Sequence, residues 1–215
     1  HESMDRDSIN AVEDDTKMGL DRTAPAMLVV QSDEPAGHAG VEIAQVEALC
    51  ALSNATECFF TDDLEEGEAF VVARRIAIPS VEKMGTVLME DVGVPLPRLG
   101  DLVMGIEQIS QHRDVIIAVI AHAGDGNTHP LLVVNPNDPA QQARAEIAYG
   151  EVMDLAISLG GTITGEHGVG RLKKPWLADY RGPGVLELGH RIETALDPAG
   201  ILNPGAVLDE TWSTT

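Results

Sequence analysis

Aromatic residues are scarce in this chain: phenylalanine, tyrosine and tryptophan make up 3% of its 215 residues, so any core it buries is aliphatic. It has only two cysteines, Cys50 and Cys58. They stand in mostly apolar surroundings without C-x-x-C spacing, which argues against a disulfide framework and for buried free thiols in a reducing compartment. There is no apolar run of about 18 residues and no basic segment leading into an apolar one, so neither a membrane span nor a signal peptide is expected, and a cytoplasmic domain is the default. Basic residues are also few. Against 35 Asp and Glu there are 14 Lys and Arg, a formal charge of −21, which excludes nucleic acid as a partner because phosphate binding needs a basic footprint. Halophilic adaptation would give the same balance.

What is present is a chain 44% apolar, long enough to bury a sizeable core. Without an internal repeat, low-complexity tract or linker, residues 1–215 read as one domain. His1 to Ser3 are set aside as no part of the fold. Helical periodicity marks 7–20, 40–52, 64–78 (closed by Pro79), 95–112 and 185–197. Another helix runs from an Asp138 N-cap and Pro139 to the stop at Gly160 and Gly161. Strands are expected at 25–33, 57–63, 85–94, 114–122 and 128–135, with 162–170 as a strand or extended loop. Strands interleaved with helices, and at least one hairpin, predict an α+β fold: a mainly antiparallel sheet with helices packed on one face.

The stretch HAGDGNTH, residues 122–129, lies between the two strands expected to form that hairpin. Its glycines and asparagine suit a turn that needs positive φ. His122 and His129 then fall opposite or nearly opposite each other, where Cβ atoms are about 4.5 to 5.5 Å apart and two imidazoles can share a divalent ion. On the hairpin alone, a polar tip with two surface histidines accounts for the pattern equally well.

A third ligand tips the balance, and GEHG at 165–168 offers one in Glu166, beside His167 and between glycines. Two histidines and a carboxylate with open positions suit a catalytic zinc or similar first-row ion. Phosphate-loop, dinucleotide-binding and H-E-x-x-H patterns are absent, and a calcium loop around Asp125 and Asn127 lacks its closing glutamate. GRLKKPW at 170–176 gathers Arg171, Lys173 and Lys174 into a basic turn able to draw a small anion, with Trp176 packed beneath it. His38 in a turn, His112 at a helix end and His190 within a helix read as structural or solvated.

Taken in order, HAGDGNTHP, TITGEHGVGRLKKPWL and LDPAGILNPGAVL resemble the C-terminal half of the FAD-linked oxidases that act on D-2-hydroxy acids, among them the glycolate oxidase large subunit, D-lactate dehydrogenases and D-2-hydroxyglutarate dehydrogenase. The similarity spans essentially the whole chain and is most specific from Glu90 to Val207. The resemblance implies a ferredoxin-like substrate or cap domain of a two-domain flavoenzyme, whose N-terminal half, with most of the FAD contacts, is not within these 215 residues. Alone, the chain is then expected to be inactive. It further implies that His122, His129 and Glu166 hold a divalent metal of the zinc kind and that His167 is the base. One of Arg74 and Arg75 would bind the substrate carboxylate, Asn127 would orient substrate or flavin, and Asn203 would reach the flavin edge. For both asparagines, turn geometry or capping explains the residue as well.

The chemistry agrees with these residues. Oxidation of a 2-hydroxy acid removes a hydroxyl proton while hydride leaves the carbon; a metal acidifies the hydroxyl and an imidazole accepts the proton near neutral pH. In one respect the chain departs from dicarboxylate-specific relatives, which place lysine two residues before the aspartate of LMEDVGVP. Met89 is there instead, favouring a monocarboxylate such as glycolate or D-lactate. Companion flavin or iron–sulfur subunits, and through them a peripheral membrane location, are compatible with this reading. The alternative is a free-standing acidic metal-binding or subunit-interaction module without redox activity.

Overall fold

The computed structural model describes residues 1–35 and 37–208; Ala36 of the SDEPAG turn and everything after Leu208 lie outside them. Six strands form one sheet: β1 (Glu2–Asp5), β2 (Ala26–Val29), β3 (Thr86–Met89), β4 (Val92–Gly93), β5 (Ile117–His122) and β6 (Asn127–Val134). Their order is β2-β1-β5-β6-β3, with β4 also on β6. Every pairing is antiparallel, as the sequence predicts. The helices are α1 (Arg6–Thr16), α2 (His38–Leu52), α3 (Leu64–Arg75), α4 (Ala77–Glu82), α5 (Leu99–Arg113), α6 (Pro139–Ser158), α7 (Lys174–Arg181) and α8 (Pro183–Leu196).

Helices cover both faces of the sheet, not the one face expected. Ile117 and Val119 of β5 with Leu132 and Val134 of β6 pack against α5 and α6 through Leu102, Ile106, Ala148 and Val152. The alternate residues, Ala118, Ile120, Leu131 and Val133, pack with Met4, Ile9, Val12, Ala73 and Val81 from β1, α1, α3 and α4. The cause is legible in VIIAVIA and LLVV: strands buried on both faces read as continuous apolar runs, not alternating ones.

Capping explains where several helices begin. Asp138 accepts from the backbone N–H groups of Ala140 and Gln141, with Pro139 opening α6 as expected. Asp63 does the same for α3 through Glu65 and Glu66. That use of Asp63, together with the Thr61 hydroxyl bonded to Glu66, makes 57–63 the entry to a helix; no strand forms there. Cys58 is exposed and Cys50 half-buried, both free, so neither is the core thiol expected.

Pro79 does not close a helix. It lies in the first turn of α4, where its missing N–H leaves no bond unmade. His38 starts α2 instead of sitting in a turn. The strand expected at 85–94 is interrupted at Glu90 and Asp91 between β3 and β4, and 162–170 is loop. Two elements were not foreseen: α7, and β1, which uses the set-aside Glu2 and Ser3. None of the helices among the described residues is long and apolar enough to cross a membrane.

Candidate metal centre

Strand alternation builds this site. Met4, Ile120 and Leu131 share one face of the sheet, and residues two steps along a strand point the same way. Glu2, His122 and His129 therefore extend that face beyond its apolar core. The register pairs Ile120 with His129 and His122 with Asn127, so the two histidines are diagonal neighbours, not directly opposed. Their ring centroids are nonetheless 5.2 Å apart, edge to face.

Glu166 comes to them from the loop after α6. Its Oε1 lies 3.2 Å from His129 Nε2 and 3.5 Å from His122 Nε2. Beside them His167 stacks on His129 at 4.9 Å, 13° from parallel, with its Nε2 3.8 Å from the same Glu166 oxygen. Glu166 and His167 thus lie on one side of the loop together, and His167 is left half exposed.

Asp91, missed by sequence reasoning, sets this loop. Its carboxylate accepts from the Thr164 hydroxyl at 2.8 Å and from the backbone N–H groups of Gly165, Glu166 and His167 at 2.9, 3.0 and 2.8 Å. Burial by itself would raise its pKa; these bonds and the nearby Lys173 charge bring it below the usual carboxylate value. Lys173 donates to the Asp91 carbonyl at 2.6 Å and is buried. It is consequently not part of an exposed anion-attracting turn, and Lys174 is turned onto the carbonyls of Gly205 and Leu208. Gly165 is required by close packing, since a Cβ there would collide with the side-chain amide of Asn127.

The remaining sequence candidates separate. Asn127 is nearly buried, its Oδ1 accepting from Thr128 N–H at 2.9 Å. Arg74 reaches the site's border, 2.9 Å from Glu2, whereas Arg75 pairs with Glu68 on the exposed side of α3. Asn203 is remote from the histidines in sequence and element; it sits in a positive-φ turn and lines an apolar cleft with Leu177, Val185 and Ile192. Trp176 packs on Tyr149 at 6.1 Å, on the opposite face of the sheet.

The donors fit a divalent ion. One atom each from His122, His129 and Glu166 lie within 4.8 Å of one another, as do atoms from Asp91, His129 and His167. The second set is the poorer one, because the Asp91 carboxylate is already taken up by four N–H and O–H donors. Burial lowers the pKa of His129 against the opposing pull of Asp91, a shift towards the neutral imidazole, the form that binds metal.

An antiparallel sheet covered on both faces, with a two-histidine, one-carboxylate cluster at the mouth of its central hairpin, defines an α+β domain with a candidate metal centre. The profile of FAD linked oxidases, C-terminal domain, matches residues 1–207, and the chain belongs to that family. It is 34% identical over 205 residues to the glycolate oxidase subunit GlcD of Bacillus subtilis, covering 95% of this chain and 44% of that protein. The Escherichia coli K12 subunit of the same name is 33% identical over 205 residues, 95% of this chain and 41% of that one. To the mitochondrial D-lactate dehydrogenase [cytochrome] of Arabidopsis thaliana it is 31% identical over 166 residues, 76% of this chain and 29% of that enzyme. The chain therefore spans less than half the length of these relatives. Among solved structures, p-cresol methylhydroxylase with substrate bound shares the fold with a TM-score of 0.59 at 12% identity, over 99% of this chain and 47% of that one.

Proposed function

We propose that this chain is the substrate- and metal-binding part of an FAD-dependent dehydrogenase or oxidase that converts a small D-2-hydroxy acid, of the glycolate or D-lactate type, to the 2-oxo acid. The observation that carries this reading is the convergence of His122, His129 and Glu166 beside His167, in a chain whose relatives include glycolate oxidase subunits and D-lactate dehydrogenases. His122, His129 and Glu166 hold the metal, which when bound supplies a Lewis acid for the substrate hydroxyl. FAD, bound mainly by the half of the relatives that this chain does not span, supplies the hydride acceptor.

His167 takes the hydroxyl proton as the C–H bond breaks and the carbonyl forms. Its half-exposed ring is open to a ligand, and its stacking on His129 fixes its plane beside the donor cluster. Of the two arginines, Arg74 is the one that holds the substrate carboxylate; it borders the cluster, and its Nε has no acceptor among the described residues. Met89 pairs with Leu131, one diagonal step from His129, and provides no cation for a second carboxylate. Asn127 orients the substrate or flavin from the mouth of the hairpin, and Asn203 meets the flavin edge. Companion subunits carrying flavin or iron–sulfur centres pass the electrons on, as expected for a protein similar to subunits of glycolate oxidase.

The test is metal analysis together with turnover in the full-length enzyme, offering glycolate, D-lactate and D-2-hydroxyglutarate in parallel. His122→Ala and Glu166→Ala should each lose metal and activity together. Full activity in a metal-free protein would remove the reading, and preference for the dicarboxylate would remove its substrate class.

A further inference from the structure

We propose that Glu2 is a positioning residue that joins the metal ligand His122 to Arg74 and fixes which nitrogen of His122 faces the metal; this rests on the metal-centre reading above. Glu2 stands directly across from His122 in the β1–β5 register. Its Oε1 is hydrogen-bonded to His122 Nδ1 at 2.9 Å, and its Oε2 forms an ion pair with an Arg74 terminal nitrogen at 2.9 Å but has no hydrogen-bond partner among the described residues. The carboxylate thus faces two partners, one oxygen each, and Arg74 reaches it from the end of α3.

Such a carboxylate decides a tautomer. A neutral imidazole carries one proton, on either nitrogen, and a carboxylate beside Nδ1 accepts a hydrogen bond only if the proton is there. Nε2 then presents a lone pair, and Nε2 is the atom that faces Glu166. Arg74 performs the next step outward. Its side chain is 12% exposed, so its charge is little screened, and the ion pair holds the Glu2 carboxylate beside His122. Outer carboxylates on ligating histidines typically change metal affinity about 10- to 100-fold when removed. In the same contact Glu2 orients the guanidinium assigned to the substrate carboxylate, so the metal and the carboxylate subsites share one anchor. His129 has no equivalent among the described residues: its Nδ1 is buried without a hydrogen-bond partner there, and the Asp91 carboxylate is 3.8 Å from it.

Two measurements test this on the protein and on its Glu2→Ala, Glu2→Gln and Arg74→Met variants. Long-range ¹H–¹⁵N correlation of the metal-free protein reads the His122 tautomer, and competition with a chromophoric chelator reads Zn²⁺ affinity. The wild type should carry the proton on Nδ1. Glu2→Ala should move it to Nε2 and weaken Zn²⁺ binding about 10- to 100-fold. Glu2→Gln should keep the proton on Nδ1 through its amide oxygen while still losing several-fold in affinity, and Arg74→Met should do likewise.

An Nε2-protonated His122 in the wild type, or a Glu2→Ala variant with wild-type tautomer and affinity, overturns the proposal. If Glu2→Ala does not fold, unchanged affinity in both Glu2→Gln and Arg74→Met overturns it equally. A wild type that binds no Zn²⁺ defeats the metal-centre reading, and the tautomer measurement then decides the role of Glu2 by itself.

Discussion

The carboxylate of Asp91 accepts from the backbone N–H of His167 at 2.8 Å, tying the break between β3 and β4 to a loop 76 residues further along the chain. Because the same oxygen also takes the N–H groups of Gly165 and Glu166, one side chain fixes the backbone from which both Glu166 and His167 project. Asp91→Asn replaces one acceptor oxygen with a donor and removes the charge facing Lys173. The expected result is metal affinity lowered by about tenfold or more and a reduced melting temperature, read by chelator competition and calorimetry. Wild-type affinity in this variant would show that the loop holds its shape without the clamp.

His167→Ala should separate metal binding from turnover. The ring does not belong to the favoured donor set, so metal content should equal that of the wild type. The loss of a general base typically lowers the rate by about 10²- to 10⁴-fold. Measured in the full-length enzyme, a variant that loses metal as well would make His167 a ligand and leave the base to be found elsewhere.

The two neighbouring arginines should behave differently. Arg75 is paired with Glu68 at the surface, where such ion pairs contribute little, so Arg75→Ala should leave kinetic constants and stability near wild type. Arg74→Ala should raise KM for the hydroxy acid while its Zn²⁺ affinity falls as well, since Glu2 loses its holder. Initial rates against substrate concentration and chelator competition report the two effects. A KM effect confined to Arg75→Ala would reverse their assignment.

How far the sequence discloses this arrangement depends on how local each signal is. The hairpin and the helix capped by Asp138 and Pro139 are short-range features, and their residues state them directly. His122, His129 and Glu166 can be picked out because few residue types ligate metals, although the diagonal placement of the histidines depends on a strand register that loop residues alone do not fix. Helices on both sheet faces are implied by VIIAVIA, whose unbroken run was open to that interpretation. Asp91, Lys173 and Glu2 could not be found this way. Each acts through partners about 70 to 120 residues distant, and an aspartate after a strand or a lysine in a basic turn looks locally like any solvated charge. Thr61 and Asp63 show the reverse: β-prone Phe59 and Phe60 suggest a strand, and helix capping by the polar residues after them prevails.

Glu90, next to the Asp91 clamp, yields a prediction about stability and pH. It is completely buried and, among the described residues, neither carboxylate oxygen has a hydrogen-bond partner. Burial pushes its pKa from 4.5 up to about 8, against the pull of Lys173, whose own ammonium is directed at the carbonyl and carboxylate of Asp91. In the unfolded chain Glu90 loses its proton near its ordinary value, while the folded protein retains it. The folded state therefore binds the extra proton between those two values, and the contribution of Glu90 to stability falls as pH rises through that window and levels off above it. Asp5, raised by burial to about 6, adds a loss of the same sign over a narrower range, which cancels when two proteins sharing it are compared. Glu90→Gln keeps the shape and removes the titration. Urea unfolding at about pH 5, 7 and 9 should show the stability of Glu90→Gln rising relative to that of the wild type from the acid to the alkaline end. Parallel curves would mean that Glu90 is ionised throughout and that the charge of Lys173, not burial, governs it.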